Sequence, residues 1–120
     1  LSTARNQALA REWLKAFNAH DVKALVALYD ESCRHTSPKL RTLLPDSGGM
    51  IRGKSALAAW WNDAIARLPS LRYEEVSVTA DERRAFIEYL RHVAGETPLL
   101  VAEVFEIENG LIVSSRVYHG

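Results

Sequence analysis

A chain of 120 residues with 48% hydrophobic and 25% charged side chains can bury roughly two-thirds of its unfolded surface in one domain, here 1–120. Its 15 basic and 15 acidic residues cancel and form no long block, which argues against a nucleic-acid partner or a polybasic membrane surface. The apolar runs are far too short to cross a bilayer, so no membrane partner is expected. A single cysteine, Cys33, excludes an internal disulfide, and no basic-then-apolar leader opens the sequence; a reducing cytoplasm is the expected setting.

In chain order, Ser2 or Thr3 caps a first helix in which Leu9, Ala10, Trp13, Leu14 and Phe17 recur at three- and four-residue spacing. Asn18-Ala19-His20 breaks it, and Asp21 caps a second helix whose Val22, Leu25, Val26 and Tyr29 share a face. Residues 33–37 read as a short strand ending at Pro38, and 39–53, with Pro45, Gly48 and Gly49, as a long loop of the kind that often serves a site. Ser55 opens a third helix carrying Leu57, Trp60, Trp61, Ala64, Ile65 and Leu68, and Pro69 stops it. The period then changes to two, and 71–79, 85–93, 99–108 and 111–119 read as four strands of an antiparallel meander.

Helices first and strands afterwards predict an α+β fold, three N-terminal helices packed on a curved, mostly antiparallel sheet. The last two strands are apolar on both faces, with Val101, Phe105 and Ile107 on one and Leu100, Ala102 and Val104 on the other. The helices cover one face only, so a homodimer through the outer face is expected.

The order of these elements resembles the nuclear transport factor 2-like superfamily and its SnoaL-like group. The resemblance rests on Asp21-Val22-Lys23-Ala24-Leu25 after the first helix, the strand closing on Ser37-Pro38, Ile51-Arg52-Gly53-Lys54-Ser55-Ala56-Leu57 before the third helix, and the ending from Val104 through Asn109-Gly110 to Ile112. It implies a cone-shaped α+β barrel with an apolar pocket at its open end. It also implies relatives as varied as ketosteroid isomerases, limonene epoxide hydrolases, dehydratases, polyketide cyclases and non-enzymatic binding domains. Catalytic residues carry over poorly. The aspartate base of the isomerases falls on Ser37, and the arginine, aspartate and aspartate of the epoxide hydrolases fall on Phe86, Glu88 and Val117. The protonated acid of the isomerases has a counterpart in Glu103.

Strand register decides which polar groups point inward, because a one-residue slip turns every side chain over. A two-residue loop at Asn109-Gly110 pairs Glu103 with Arg116; a three-residue loop, Glu108-Asn109-Gly110, pairs Glu103 with Ser115 and Val101 with Val117. The second agrees with the family pattern, in which the positions of Ser115, Val117 and His119 face the pocket. A tight turn at Gly95-Glu96 then sets Glu88 opposite Glu103, and two carboxyls in an apolar cavity would leave one neutral as an acid; the bland alternative has one of them reaching solvent or pairing with Arg91 or Arg116. His35, on the strand face shared by Cys33 and Ser37, is the candidate base, or else a buried histidine bonded to backbone. Trp13, Phe17, Ser37, Trp60, Val101, Phe105, Ser115, Val117 and His119 are the expected pocket wall, one of Trp60 and Trp61 filling the core. Any of Tyr73, Tyr89 and Tyr118 could bond a ligand oxygen. No spacing signature suggests a metal, and no cofactor is implied.

Two functions follow. One is a cofactor-independent acid/base enzyme of isomerase, dehydratase, cyclase or epoxide hydrolase type, acting on a small oxygenated apolar molecule through His35 with Glu103 or Glu88. The other is a non-catalytic small-molecule-binding or dimerisation module.

Overall fold

The computed structural model describes residues 2–120. The fold is α+β: helices α1 (Ser2–Asn18), α2 (Val22–Val26), α3 (Pro38–Leu43) and α4 (Lys54–Arg67), and strands β1 (Tyr29–Thr36), β2 (Met50–Arg52), β3 (Arg72–Ala80), β4 (Arg84–His92), β5 (Leu99–Glu108) and β6 (Leu111–His119). The strands form one sheet in the order β2-β1-β6-β5-β4-β3. Only β1 and β6 run parallel. The helices lie on one face, where α1 buries Ala10, Trp13, Leu14 and Phe17.

Local chemistry explains the boundaries. His20, left-handed at φ 55°, follows the end of α1 and is held by a 2.7 Å bond from its ring to the Leu71 carbonyl. The Asn18 side chain completes a peptide-like pair with Tyr73, donating to its carbonyl and accepting from its N–H, both at 2.7 Å. This fastens the end of α1 to β3, where a bulge interrupts the ladder between Glu75 and Ser77.

Two segments depart from the sequence reading. Residues 39–53, expected as loop, contain α3, a 3-10 turn (Pro45–Ser47) and β2. The Ser37 side chain caps α3 by accepting the Lys39 N–H, Pro38 stands at its first position, and Leu40 is wholly buried. Tyr29 belongs to β1, not to a helix face. The second helix lasts barely one turn, and Tyr29 pairs with Ile112 of β6, where its ring is buried.

The last hairpin corrects both register readings. Asn109 and Gly110 are both left-handed, at φ 52° and 76°, as a two-residue type I′ turn requires. Ile107 pairs with Ile112 but Glu106 with Ser114, which leaves Val113 as the extra residue of a bulge. Beyond the bulge Glu103 therefore faces Val117, and Val101 faces His119. The preferred register was thus off by two, a shift that preserves side-chain direction and leaves Ser115, Val117 and His119 on the inward face. Between β4 and β5 the slip is by one and reverses direction. Ile87, not Glu88, pairs with Glu103, because the chain leaves the ladder over 93–98 rather than in a tight Gly95-Glu96 turn. Glu88 points outward, exposed, and accepts a 2.8 Å bond from the Ser77 hydroxyl. The expected pair of facing carboxyls does not exist.

Candidate functional site

The paired strands lay inward-facing residues in cross-strand rows. The deepest row runs His35, Ser115, Phe105, Ala85; the next Val117, Glu103, Ile87; then His119, Val101, Tyr89; and nearest the open end Leu99, Arg91, Tyr73. Helices α1, α3 and α4 close the other side, leaving a cavity of about 280 Å³, near the lower limit of small-molecule pockets. Trp13, Phe17, Trp60, Trp61, Tyr73 and Tyr89 wall it with aromatic rings, and His35, Ser37, Val101, Glu103, Val117 and His119 are among its polar and aliphatic lining.

Phe105 and Ser115 correct the expected lining. Both are wholly buried in the deepest row, beneath the cavity, where Phe105 packs 5.2 Å from Trp13. Trp60 and Trp61 both reach the cavity; Trp61 is the more buried and meets His35 edge-on at 5.6 Å. Tyr118 faces outward and is exposed. Tyr29, Arg91 and Lys39 are not among the site residues expected from the sequence. The period-two series Ile87, Tyr89, Arg91 carries the signal for Arg91 once one member is known to face in.

His35 ends a buried chain of hydrogen bonds. Trp13 Nε1 lies 3.1 Å from the Tyr29 hydroxyl, which lies 2.9 Å from Ser115 Oγ, which lies 2.6 Å from His35 Nδ1. The indole can only donate, so Tyr29 accepts from Trp13 and gives its own proton to Ser115, and Ser115 gives its proton to His35 Nδ1. Were His35 Nδ1 the donor, Ser115 Oγ would accept from both Tyr29 and His35 and its own proton would have no side-chain acceptor among the described residues, an unmade bond costing about 1–3 kcal/mol. The network thus assigns the proton of the imidazole to Nε2. Nε2 has no protein partner among the described residues, is not sealed from the cavity, and presents an N–H donor to it. Burial lowers the His35 pKa to about 4, so the ring is neutral at pH 7. The expected base is in this arrangement a donor.

One prediction follows for this chain of bonds. Tyr29→Phe leaves both the indole N–H and Ser115 without their partner and should lower stability by about 1–3 kcal/mol in urea denaturation. It should also release the His35 tautomer, seen as a change in the imidazole ¹⁵N shifts; unchanged shifts would show that Ser115 alone sets the tautomer.

Glu103 is wholly buried at the centre of the sheet. Its Oε1 accepts a 2.9 Å bond from the Tyr89 hydroxyl, and Oε2 is the one buried side-chain polar atom of the described residues without a partner. Burial raises its pKa to about 8, against the lowering effect of the Tyr89 bond, so the carboxyl is mostly protonated at pH 7. Cys33 is buried, and burial pushes its thiol up, the opposite of nucleophile activation. Among the described residues no group of three His, Cys, Asp or Glu is placed to hold a metal ion, and no helix is long and apolar enough to cross a membrane.

Two neutral groups of opposite character, an imidazole kept from gaining a proton and a carboxyl kept from losing one, thus share one apolar cavity. Such a setting can donate hydrogen bonds to a ligand oxygen and exchange a proton with it.

No curated protein matches the sequence. Among solved structures, a SnoaL-like protein of unknown function from Burkholderia thailandensis is 28% identical, with 98% of this chain and 95% of that one covered and a TM-score of 0.88. A ketosteroid isomerase-like protein from Kribbella flavida (18% identity, 98% and 79% covered, TM-score 0.82) and a polyketide cyclase-like protein from Sinorhizobium meliloti (18%, 92% and 94%, 0.78) share the fold. The family described as the SnoaL-like domain matches residues 10–115, from the first buried turn of α1 to the serine beneath His35. The chain belongs to the SnoaL-like domain family, on a nuclear transport factor 2-like fold.

Proposed function

We propose that this domain is a cofactor-independent acid/base enzyme that moves a proton on a small, largely apolar molecule carrying a carbonyl or hydroxyl oxygen. The observation that carries the reading is Glu103, fully buried on the cavity wall with one oxygen unpartnered and its pKa raised to about 8. A neutral carboxyl delivers its proton to a substrate oxygen and, as a carboxylate, takes one back from carbon or hydroxyl. The Nε2–H of His35 donates to the same oxygen and orients it for that proton transfer, and its low pKa keeps it a neutral donor. Tyr89 holds Glu103 in place through Oε1. Glu88, on the opposite face of the sheet, has no part.

The test is hydrogen exchange from solvent. Ketones, epoxides and hydroxylated aromatics that raise the melting temperature are incubated with the protein in deuterium oxide and read by mass spectrometry. Deuterium should enter a bound compound, and Glu103→Gln, folded by circular dichroism, should slow this by 10²-fold or more. A compound that binds without exchange, or exchanges equally with the variant, would favour a binding module without chemistry.

The same reading keeps the homodimer, supported by the outer sheet face, where Phe86, Leu100 and Tyr118 are exposed beside Ala102 and Val104. Light scattering should give twice the chain mass, and Leu100→Lys should lower it.

A further inference from the structure

We infer that the ligand of this cavity is an organic acid, its carboxylate seated between Arg91 and Lys39 at the open end and its apolar body against the aromatic wall. This rests on the proposed function only for where the reacting oxygen lies.

Arg91 is the first reason. It occupies the inward position after Ile87 and Tyr89 on β4, lines the cavity, and is only 9% exposed. A buried guanidinium calls for anionic partners. The protein supplies one, Glu96, bonded from a single nitrogen at 2.9 Å, and that carboxylate is itself 49% exposed. The remaining N–H groups of the fork have no protein partner among the described residues. A planar fork with free donors suits a second carboxylate.

The charge balance of the wall is the second reason. Lys39, Arg67 and Arg91 line the cavity against two acids, Glu96 and the mostly protonated Glu103. Arg67 is answered by Asp63 at 2.8 Å. Arg91 and Lys39 together therefore outweigh Glu96 by one positive charge. Both cations also act on His119 at the same rim, where burial first and then Lys39 and Arg91 lower its pKa, so this site discourages a further positive charge. Trp13, Phe17, Leu68 and Leu71 give the wall an apolar stretch. An apolar slot with one surplus positive charge at its mouth matches a molecule with one negative end.

The spacing limits that molecule. Arg91 stands four residues along β4 from Ile87, the neighbour of Glu103, about 13 Å of strand before the side chains lean toward each other. The carboxylate is thus set several bonds from the oxygen that meets Glu103, as in an aryl keto acid, and is not attached to the reacting carbon.

Calorimetric titration of 4-oxo-4-phenylbutanoate and its methyl ester tests this. The acid should bind about tenfold tighter than the ester. Arg91→Gln should abolish the preference and the exposed Lys39→Gln should reduce it, in both cases by weakening the acid more than the ester. Equal binding of acid and ester to the wild type, a preference that survives both substitutions, or no binding of either compound would overturn the inference. Glu103→Gln separates the two proposals: it should stop deuterium exchange and leave the preference for the acid intact.

Discussion

Replacing Glu103 by glutamine should remove a loss of stability that the wild type suffers as the pH rises from 4.5 to 8. The carboxyl titrates near 4.5 in the unfolded chain and near 8 in the folded one. Between those values the folded chain holds a proton that the unfolded chain has released, so the unfolded state gains with every increase in pH. The slope approaches ~1.4 kcal/mol per pH unit, and above pH 8 the full burden of a buried carboxylate remains. His35 acts at the other end, with a folded pKa near 4 against 6.5. Acidification from pH 6.5 to 4 protonates the unfolded ring first, and stability falls as the pH falls. Urea denaturation of wild type and Glu103→Gln at pH 5, 6, 7 and 8 isolates the first effect, since His35 is common to both. The difference in stability, wild type minus variant, should fall by about 2–4 kcal/mol over that range. Parallel profiles would mean that Glu103 ionises in place, and the neutral acid would be lost.

Trp13→Ala should be the most damaging single substitution in the core, at about 3–5 kcal/mol. The indole packs against five rings, Phe17 (5.4 Å), Trp61 (6.3 Å), Tyr73 (6.0 Å), Tyr89 (6.2 Å) and Phe105 (5.2 Å). No single neighbour can collapse into the space without opening another gap. Its Nε1 also begins the hydrogen-bond chain that ends at His35. Trp13→Phe separates the two roles, because it keeps much of the ring packing and removes the N–H. That variant should lose about 1–2 kcal/mol and shift the His35 ¹⁵N signals, whereas loss equal to that of Trp13→Ala would place most of the energy in the bond.

These two residues show what can be read from a sequence. Trp13 was legible because helical periodicity is local: Leu9, Ala10, Trp13, Leu14 and Phe17 occupy one face whatever the helix packs against. The same holds for β5, whose bounds at 99 and 108 follow from alternation between turn residues, and for the Asn109-Gly110 turn, where Gly110 adopts φ 76°. The α+β class and the family were within reach for that reason. The short capped helix at Ser37-Pro38 was missed although its signal is local, because Pro45 and two glycines nearby read as loop.

The direction of Glu88 and Glu103 was a different matter. The period of a strand says that neighbouring residues alternate, not which set faces inward, and one residue more or less between strands reverses the answer. The loop over 93–98 put Glu88 outside; the bulge at Val113 kept Ser115, Val117 and His119 inside. Neither has a composition of its own. The tautomer of His35 and the pKa of Glu103 lie one step further away. They depend on Trp13, Tyr29 and Ser115, drawn from α1, β1 and β6, and on the burial that all layers together impose. The sequence by itself determined the helices α1 and α4, the strands β3 to β6 and many of the residues that seek the core. Only the tertiary structure decided which carboxyl is buried and which imidazole nitrogen meets the cavity, since both are set by groups far apart along the chain that meet only in the folded state.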